Sequence, residues 1–176
     1  MKYVLLLRGI NVGGNNRVEM ARLKSLLESI GHTNVITYIN SGNVVFEASS
    51  LPDRSFIEKA LEKEFGFSVP ALIVTGEDIV RIARAIPSKW QNDKDNEKSD
   101  VLYLFEEIDT PQIIKEIGVK PEIETFTYVG GALLTNISRK NQSKGSLLKL
   151  IGTPLYKQMT IRNITTAKKL AELVSQ

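Results

Sequence analysis

The order of apolar segments is the feature that most limits the fold of this chain. In the first half, hydrophobic periodicity predicts strand, helix, strand, strand, helix and strand, followed by one more helix. The same order returns after a polar stretch at residues 88–100. A pattern that repeats at this scale predicts two similar folding units.

We therefore expect an α+β fold of duplicated ferredoxin-like (βαββαβ) units, each followed by an extra helix. The domains are predicted at 1–87, with a connecting loop at 88–100, and at 101–176. A single mixed sheet of eight strands is the alternative. The predicted strands are 2–8, 34–40, 43–48, 68–75, 101–106, 122–128, 131–137 and 158–163, and the predicted helices are 19–30, 53–65, 77–86, 110–117, 143–151 and 164–174.

The first strand of each unit is apolar on both of its faces. Tyr3 and Leu5 alternate with Val4 and Leu6, and the strand at 101–106 has the same character. Such strands must be covered on both sides. An RNA-binding module of this topology needs an open sheet face with stacking aromatic residues, and that face is not expected here.

Composition excludes several classes of function. The 176 residues include no cysteine, so disulfides, thiolate metal sites and a cysteine nucleophile are excluded. The apolar run at the N-terminus stops at Arg8 without a cleavage site for a signal peptidase, and no run approaches the roughly 20 residues that cross a bilayer. We expect a cytoplasmic protein with no membrane partner.

A loop rich in glycine and asparagine follows the first strand and precedes the first helix. Glycine tolerates positive φ and lets backbone N–H groups approach a ligand, and a helix N-terminus favours anions. Arg8 and Arg17 flank the turn, and no acidic residue precedes Glu19. We predict an anion-binding corner, with ligand-binding candidates Arg8, Gly9, Asn11, Gly13 and Gly14.

Topology brings a second polar segment to the same edge of the sheet. Strands 1 and 2 of a βαββαβ unit run parallel, so the loop after strand 1 lies near the turn at 40–43. Ser41 and Asn43 then join the candidate site as neutral donors and acceptors. The alternative is that Ser41, Gly42 and Asn43 only form a hairpin turn.

The loop matches neither common phosphate-binding motif. Gly9 and Gly14 have the Walker A spacing, but Asn15 and Asn16 stand where Lys and Ser or Thr are required. The dinucleotide-binding spacing of glycines is absent as well. We predict no cofactor and no metal site.

Charge is concentrated near the C-terminus. No carboxylate occurs between residues 125 and 171, a stretch that contains Arg139, Lys140, Lys144, Lys149, Lys157, Arg162, Lys168 and Lys169. This pattern favours an acidic partner, and a solvated basic face is the alternative.

Near the C-terminus, Asn163 is the predicted N-cap of the last helix. Lysines in the opening turns of a helix are unfavourable unless an anion binds there, and the alternative is that they extend into water. We add Arg162, Asn163, Thr166 and Lys169 to the ligand-binding candidates, and the sequence leaves open whether Arg162 meets Arg8.

Candidates for catalysis are few. His32 is the only histidine, and its place after a helix stop is typical of a surface turn. Trp90 is expected to be a packing residue. Catalytic residues therefore stay unknown, and the sequence does not decide whether the chain is an enzyme.

Three segments resemble the bacterial domain-of-unknown-function family numbered 1697. They are 6–14, which is the most specific, 38–44, and 160–163 with Thr166, Lys169 and Leu170. Ile164 stands where the family often has Trp. The resemblance implies an arrangement of ferredoxin-like units and supplies no activity, substrate or catalytic residue.

These observations favour a protein that binds a small phosphorylated or other anionic ligand. One alternative is RNA binding through the basic region 139–169, and another is an enzyme that acts on a phosphorylated substrate by positioning alone. The oligomeric state is not indicated by the sequence.

Overall fold

The computed structural model describes residues 1–176, and the chain is α+β. The first half contains strands β1 (Lys2–Leu7), β2 (Thr33–Tyr38), β3 (Asn43–Glu47) and β4 (Ala71–Thr75), with helices α1 (Met20–Ser29), α2 (Arg54–Phe65) and α3 (Gly76–Ala85). The second half contains strands β5 (Glu97–Leu104), β6 (Glu124–Tyr128), β7 (Ala132–Ser138) and β8 (Met159–Asn163), with helices α4 (Ile113–Ile117), α5 (Leu147–Leu150), α6 (Pro154–Lys157) and α7 (Ile164–Ser175). Short 3₁₀ helices span Glu106–Ile108 and Arg139–Lys144.

The strands form two four-stranded antiparallel sheets. Their orders are β2-β3-β1-β4 and β6-β7-β5-β8. The chain divides into two compact units, Met1–Ile79 with Glu172–Gln176, and Val80–Ala171. The single eight-stranded sheet is therefore ruled out.

The core of the first unit lies between its sheet and helices α1 and α2. One face of β1, with Tyr3, Leu5 and Leu7, packs in the same buried cluster as Leu23 and Leu61. α2 begins at an ordinary cap, because the Asp53 carboxylate accepts hydrogen bonds from the amides of Ser55 and Phe56. Helical spacing of apolar residues thus positions both helices on one side of the sheet.

The central strands are buried on both faces, as their composition predicts. On the face of β1 opposite the helices, Val4 and Leu6 are fully buried. In β5, Leu102 lies in the helix-side core, and Val101 and Tyr103 on the opposite face are also fully buried.

Two helices predicted in the second half are shorter than expected. The segment 110–117 is helical only over Ile113–Ile117, and 143–151 contains only the four-residue α5. Gly145 precedes α5 and Gly152 follows it, so helix propagation is unfavourable at both ends. A second short helix, α6, then begins at the Thr153 cap, whose side chain accepts a hydrogen bond from the amide of Tyr156.

β5 begins four residues earlier than predicted. Its polar start is tolerated because the buried Ser99 hydroxyl donates to the Gln91 carbonyl over 2.6 Å and accepts from the Asn136 amide over 2.9 Å. Buried polar groups that find partners do not prevent a strand from entering the core.

Gly42 is required by the close approach of two chain segments. A Cβ atom at this position would lie 2.6 Å from the Leu7 Cβ and 2.8 Å from the Ile10 Cδ1, and the backbone φ is +76°. The Leu7 amide donates to the Gly42 carbonyl over 2.8 Å. β1 and the β2–β3 turn therefore meet only if residue 42 lacks a side chain.

We predict that Gly42→Ala lowers the free energy of unfolding by about 2 to 5 kcal/mol, because overpacking adds to left-handed backbone strain. The matched control is Gly66→Ala, whose φ is +80° with no atom within 4 Å of the added Cβ. Gly66→Ala should lower the free energy of unfolding by only about 1 to 2 kcal/mol. Urea denaturation measures both values, and equal losses would contradict the packing argument.

Candidate functional site

The loop after β1 closes into a small hairpin. The Asn11 amide donates to the Asn16 carbonyl, and the Asn15 amide donates to the Val12 carbonyl, each over 3.1 Å. Gly13 and Gly14 form the exposed tip, with φ of +60° and +81°. The glycines therefore serve a tight turn, and α1 begins only at Met20.

Asn11 fixes this hairpin to its surroundings. Its side-chain oxygen accepts from the Val18 amide over 2.9 Å, and its side-chain nitrogen donates to the carbonyls of Val18 over 3.0 Å and Asn40 over 2.8 Å. Its backbone φ is +53°, a conformation that asparagine tolerates better than most residues. The prediction that the loop lies near the 40–43 turn is confirmed by these contacts.

The turn between β2 and β3 uses its polar residues internally. The Asn43 side chain donates to the Tyr38 carbonyl over 3.0 Å and to the Ser41 hydroxyl over 2.9 Å, and Asn43 is fully buried. Asn43 thus stabilises the turn that carries Asn40. This local role accounts for the choice of asparagine at position 43.

A groove of about 530 Å³ lies between the hairpin and the first turn of α1. Its walls include Asn11, Gly14, Asn15, Arg17, Met20, Ala21 and Asn40. The N-cap residue of α1, Glu19, makes no side-chain hydrogen bond to the helix, and the first turn contains no acidic residue. The first amides of an α-helix lack intrahelical partners, so this end of α1 retains donors.

Arg17 supplies the positive charge of the groove, and Glu19, which also lines it, supplies a negative charge. The Arg17 guanidinium lies 3.6 Å from the Glu19 carboxylate, and the two side chains are 82% and 53% exposed. Exposed pairs of this kind contribute between nothing and about 1 kcal/mol, so an incoming anion competes with Glu19 at little cost.

Two other loop candidates, Arg8 and Gly9, do not line the groove. Arg8 is half-buried after β1, and its amide donates to the Pro70 carbonyl over 2.9 Å. Gly9, with φ of +71°, accepts a hydrogen bond from the Asn16 side chain over 3.1 Å. Sequence reasoning noted Arg17, the 40–43 turn and the N-terminus of the following helix, but it did not select Arg17 or Asn40 as ligand-binding candidates.

In the second unit, Arg162 lies on β8 and is 8% exposed. Its guanidinium donates to the Thr160 hydroxyl and to the Ile161 carbonyl, each over 2.9 Å. Burial lowers the pKa of Arg162 to about 10, so the group remains charged near neutral pH. A sequence does not reveal that this arginine is an interior residue.

Tyr103 is a polar neighbour that sequence reasoning missed. It pairs with Thr160 across β5 and β8 and is fully buried. Its hydroxyl makes no hydrogen bond, and burial raises its pKa. A tyrosine in an apolar strand has the sequence pattern of an ordinary core residue. No sequence signal indicates that its hydroxyl is buried without a hydrogen bond.

The start of α7 is as predicted. The Asn163 side chain accepts a hydrogen bond from the Thr166 amide over 2.8 Å, which makes Asn163 the N-cap. Thr166 is buried, Lys168 is exposed and Lys169 is half-buried.

His32 lies beside the core of the first unit. Its ring centroid is 4.5 Å from that of Phe46, and its Nε2 atom is buried without a hydrogen-bond partner. Burial lowers the pKa of His32. It packs against the sheet and is not one of the residues that line the groove.

Comparison with known proteins identifies the family of this chain. Residues 1–134 match the family described as protein of unknown function DUF1697. The chain belongs to the DUF1697 family. This family match contains the hairpin loop and the β2–β3 turn, whereas Arg162 and α7 lie beyond it.

A solved structure gives a full-length relative of this DUF1697 member. It is the conserved bacterial protein SP0830 from Streptococcus pneumoniae, with 31% sequence identity over 98% of each chain and a TM-score of 0.76. No curated protein matches the chain. No helix of the present chain combines the length and apolarity needed to span a membrane.

We predict that Asn11→Ala lowers the free energy of unfolding by about 2 to 4 kcal/mol, because it removes three hydrogen bonds and places alanine at positive φ. Asn11→Gly keeps the backbone conformation accessible. Its loss in free energy of unfolding should be about 1 kcal/mol smaller than that of Asn11→Ala. Chemical denaturation of both variants tests this; a loss under 0.5 kcal/mol, on the scale of about one weak hydrogen bond, would contradict the role of Asn11.

We also predict a dependence of stability on pH at His32. Because its pKa is lowered in the folded protein, the unfolded chain takes up the proton first, and stability falls as pH drops below about 6.5, the ordinary value. The decrease in stability ends once the pH is below the pKa of His32 in the folded protein. Urea denaturation at pH 8 and pH 5 should show a smaller loss in His32→Gln than in the wild type, and identical losses would contradict the prediction.

Proposed function

We propose that this protein binds a small phosphorylated or otherwise anionic ligand in the groove beside α1. The observation that carries the proposal is the meeting of an uncapped helix N-terminus, an exposed glycine turn and Arg17 at one groove. Backbone amides at a helix start and at a turn are donors suited to phosphate oxygens.

The residues have distinct roles in this proposal. Arg17 supplies charge, the amides of Met20 and Ala21 donate to the anion, and Asn11 and Asn40 hold the walls. Of the other predicted residues, Gly14 lines the groove. Arg8, Gly9, Gly13 and Ser41 belong to the surrounding loop and turn, and Asn43 contributes by stabilising that turn.

The segment around Arg162 is proposed as a second anion-binding element, in the second unit. Its support is the buried guanidinium of Arg162 together with the Asn163 cap and Lys169 near the start of α7. The absence of carboxylates from 125 to 171 makes this stretch of the chain attractive to anions.

We further propose that the two halves are duplicated ferredoxin-like units and that the protein is cytoplasmic. The equivalent strand orders of the two sheets support the duplication. The lack of cysteine supports a reducing compartment.

RNA binding through 139–169 is the second candidate function. It is supported by the exposure of the lysines in this region: Lys140, Lys144, Lys149, Lys157 and Lys168. Affinity from such contacts falls steeply with salt and would not depend on Arg17.

We predict that phosphate or a phosphorylated metabolite raises the thermal midpoint by at least about 2 °C at saturating concentration. Arg17→Ala should remove most of this shift because it removes the positive charge of the groove and leaves Glu19. Glu19→Gln should increase the shift because Arg17 loses its competing partner.

The matched control is Arg84→Ala, an exposed arginine on α3 that does not line the groove. It should retain the full shift. The proposal fails if no anion stabilises the wild type, or if Arg17→Ala and Arg84→Ala behave alike. Salt-sensitive binding of short RNA by both variants would favour the second candidate instead.

A further inference from the structure

Strand β6 forms an open edge of the second sheet. It stands first in the order β6-β7-β5-β8, so it has a hydrogen-bonded strand on one side only. It pairs with β7 in an unbroken register, from Glu124 opposite Ile137 to Tyr128 opposite Leu133. A regular edge strand of this kind can accept a further strand.

The register shows which backbone groups point away from β7. The Val129 amide donates to the Ala132 carbonyl over 3.0 Å, so these two residues form a hydrogen-bonded pair. Because the backbone groups of successive residues in an antiparallel strand alternate in direction, the N–H and C=O groups of Phe126 and Tyr128 point outwards. No other part of the chain hydrogen-bonds to these groups. Each of the two residues therefore presents a donor and an acceptor along the edge.

The other three sheet edges are interrupted or occupied. In β2 the register shifts around Asn34, whose φ is +50°. At β4 the Ala71 amide donates to the Glu58 carboxylate over 2.9 Å, and at β8 the Arg162 guanidinium donates to the Ile161 carbonyl over 2.9 Å. Bulges and charged side chains protect an edge from pairing, and β6 has no bulge, lysine or proline.

Basic residues lie at both ends of β6. At its start, the Glu124 amide donates to the Lys120 carbonyl over 3.0 Å, and the Lys120 ammonium group donates to the carbonyl of the exposed Lys144 over 2.6 Å. At its end, the exposed Arg81 guanidinium donates to the Gly130 carbonyl over 3.2 Å. Acidic side chains of an incoming strand would be attracted to both ends.

The carboxylates near the strand are mostly engaged by backbone amides. Glu124 is buried and accepts from the Ser146 amide over 3.0 Å, and Asp109 accepts from the Gly131 amide over 2.8 Å. Glu122, which precedes the strand, is exposed. Positive charge therefore predominates among the exposed side chains at the ends of β6.

We propose that β6 pairs with an extended acidic segment of a partner protein, which adds a strand to the second sheet. Hydrogen bonds to the backbones of Phe126 and Tyr128 hold the segment, and its carboxylates lie near Lys120 and Arg81. A second copy of this chain is a poorer partner, because antiparallel pairing of two β6 strands would bring the Lys120 end of one copy to the Arg81 end of the other. The proposal does not depend on the groove beside α1.

The test is a titration with the peptide acetyl-Glu-Val-Glu-Val-Glu-Val-amide, followed by the ¹⁵N–¹H signals and hydrogen exchange of the Phe126 and Tyr128 amides. Valine is chosen because Phe126 and the 48% exposed Leu148 line one small cavity and offer apolar contact on one face. We expect saturable shifts and slower exchange at both amides.

Two control peptides separate strand pairing from attraction of charge alone. A version that is N-methylated at every peptide bond keeps the charges and removes the backbone donors, and it should bind roughly tenfold more weakly. A version with lysine in place of glutamate keeps the donors and reverses the charges, and it should also bind roughly tenfold more weakly.

Variants of the protein test the location. Thr127→Glu places a negative charge at an exposed position of β6 and should weaken binding of the acidic peptide roughly fivefold, whereas Thr127→Lys should not weaken it. The matched control is Thr33→Glu, at an exposed position of the edge strand β2, and it should bind like the wild type. Both positions are exposed, so the variants keep the core intact.

The proposal is overturned if the shifts do not saturate, if the methylated peptide binds as tightly as its parent, or if Thr127→Glu and Thr33→Glu behave alike. It is also overturned if the Phe126 and Tyr128 amides become protected without peptide as the protein concentration rises, since a second copy would then occupy the edge. Saturable shifts at these amides with short RNA, and none with the peptide, would contradict it equally.

Discussion

Strands β1 and β5, one from each sheet, are paired on both edges and buried on both faces. Each lies between two antiparallel neighbours in its sheet. Leu5 and Leu6 are both fully buried although they point to opposite faces, and Leu102 and Tyr103 repeat this arrangement. Because the faces of these strands are committed to the interior, they are not available to a ligand.

At one end of β1 this constraint shapes the candidate groove. The strand stops where Leu7 contacts Gly42, and the chain then enters a hairpin that Asn11 ties to Asn40 and Val18. The same contacts that end the strand therefore position the start of α1 beside the glycine turn. Stability of the loop and geometry of the groove are consequences of one set of hydrogen bonds.

Features that depend on residues close in sequence were predicted well. Features that depend on residues distant in sequence were not. Asp53 and Gly66 mark the ends of α2, and Asn163 marks the start of α7, because caps are encoded within a few residues. The burial of Asn43, Arg162 and Asp100 depends on strands that are distant in sequence, so it could not be read from spacing. Similarly, the sequence did not indicate that Gly13 and Gly14 form a hairpin tip, or that Gly14 and Arg17 line one groove.

The central claim is that backbone amides at the start of α1 and at the glycine turn receive an anion. A titration with inorganic phosphate, followed by ¹⁵N–¹H amide signals, tests it most directly. The account predicts saturable shifts concentrated at Gly14, Asn15, Met20 and Ala21. Shifts confined to the lysine-rich region 139–169, or none that saturate, would contradict it.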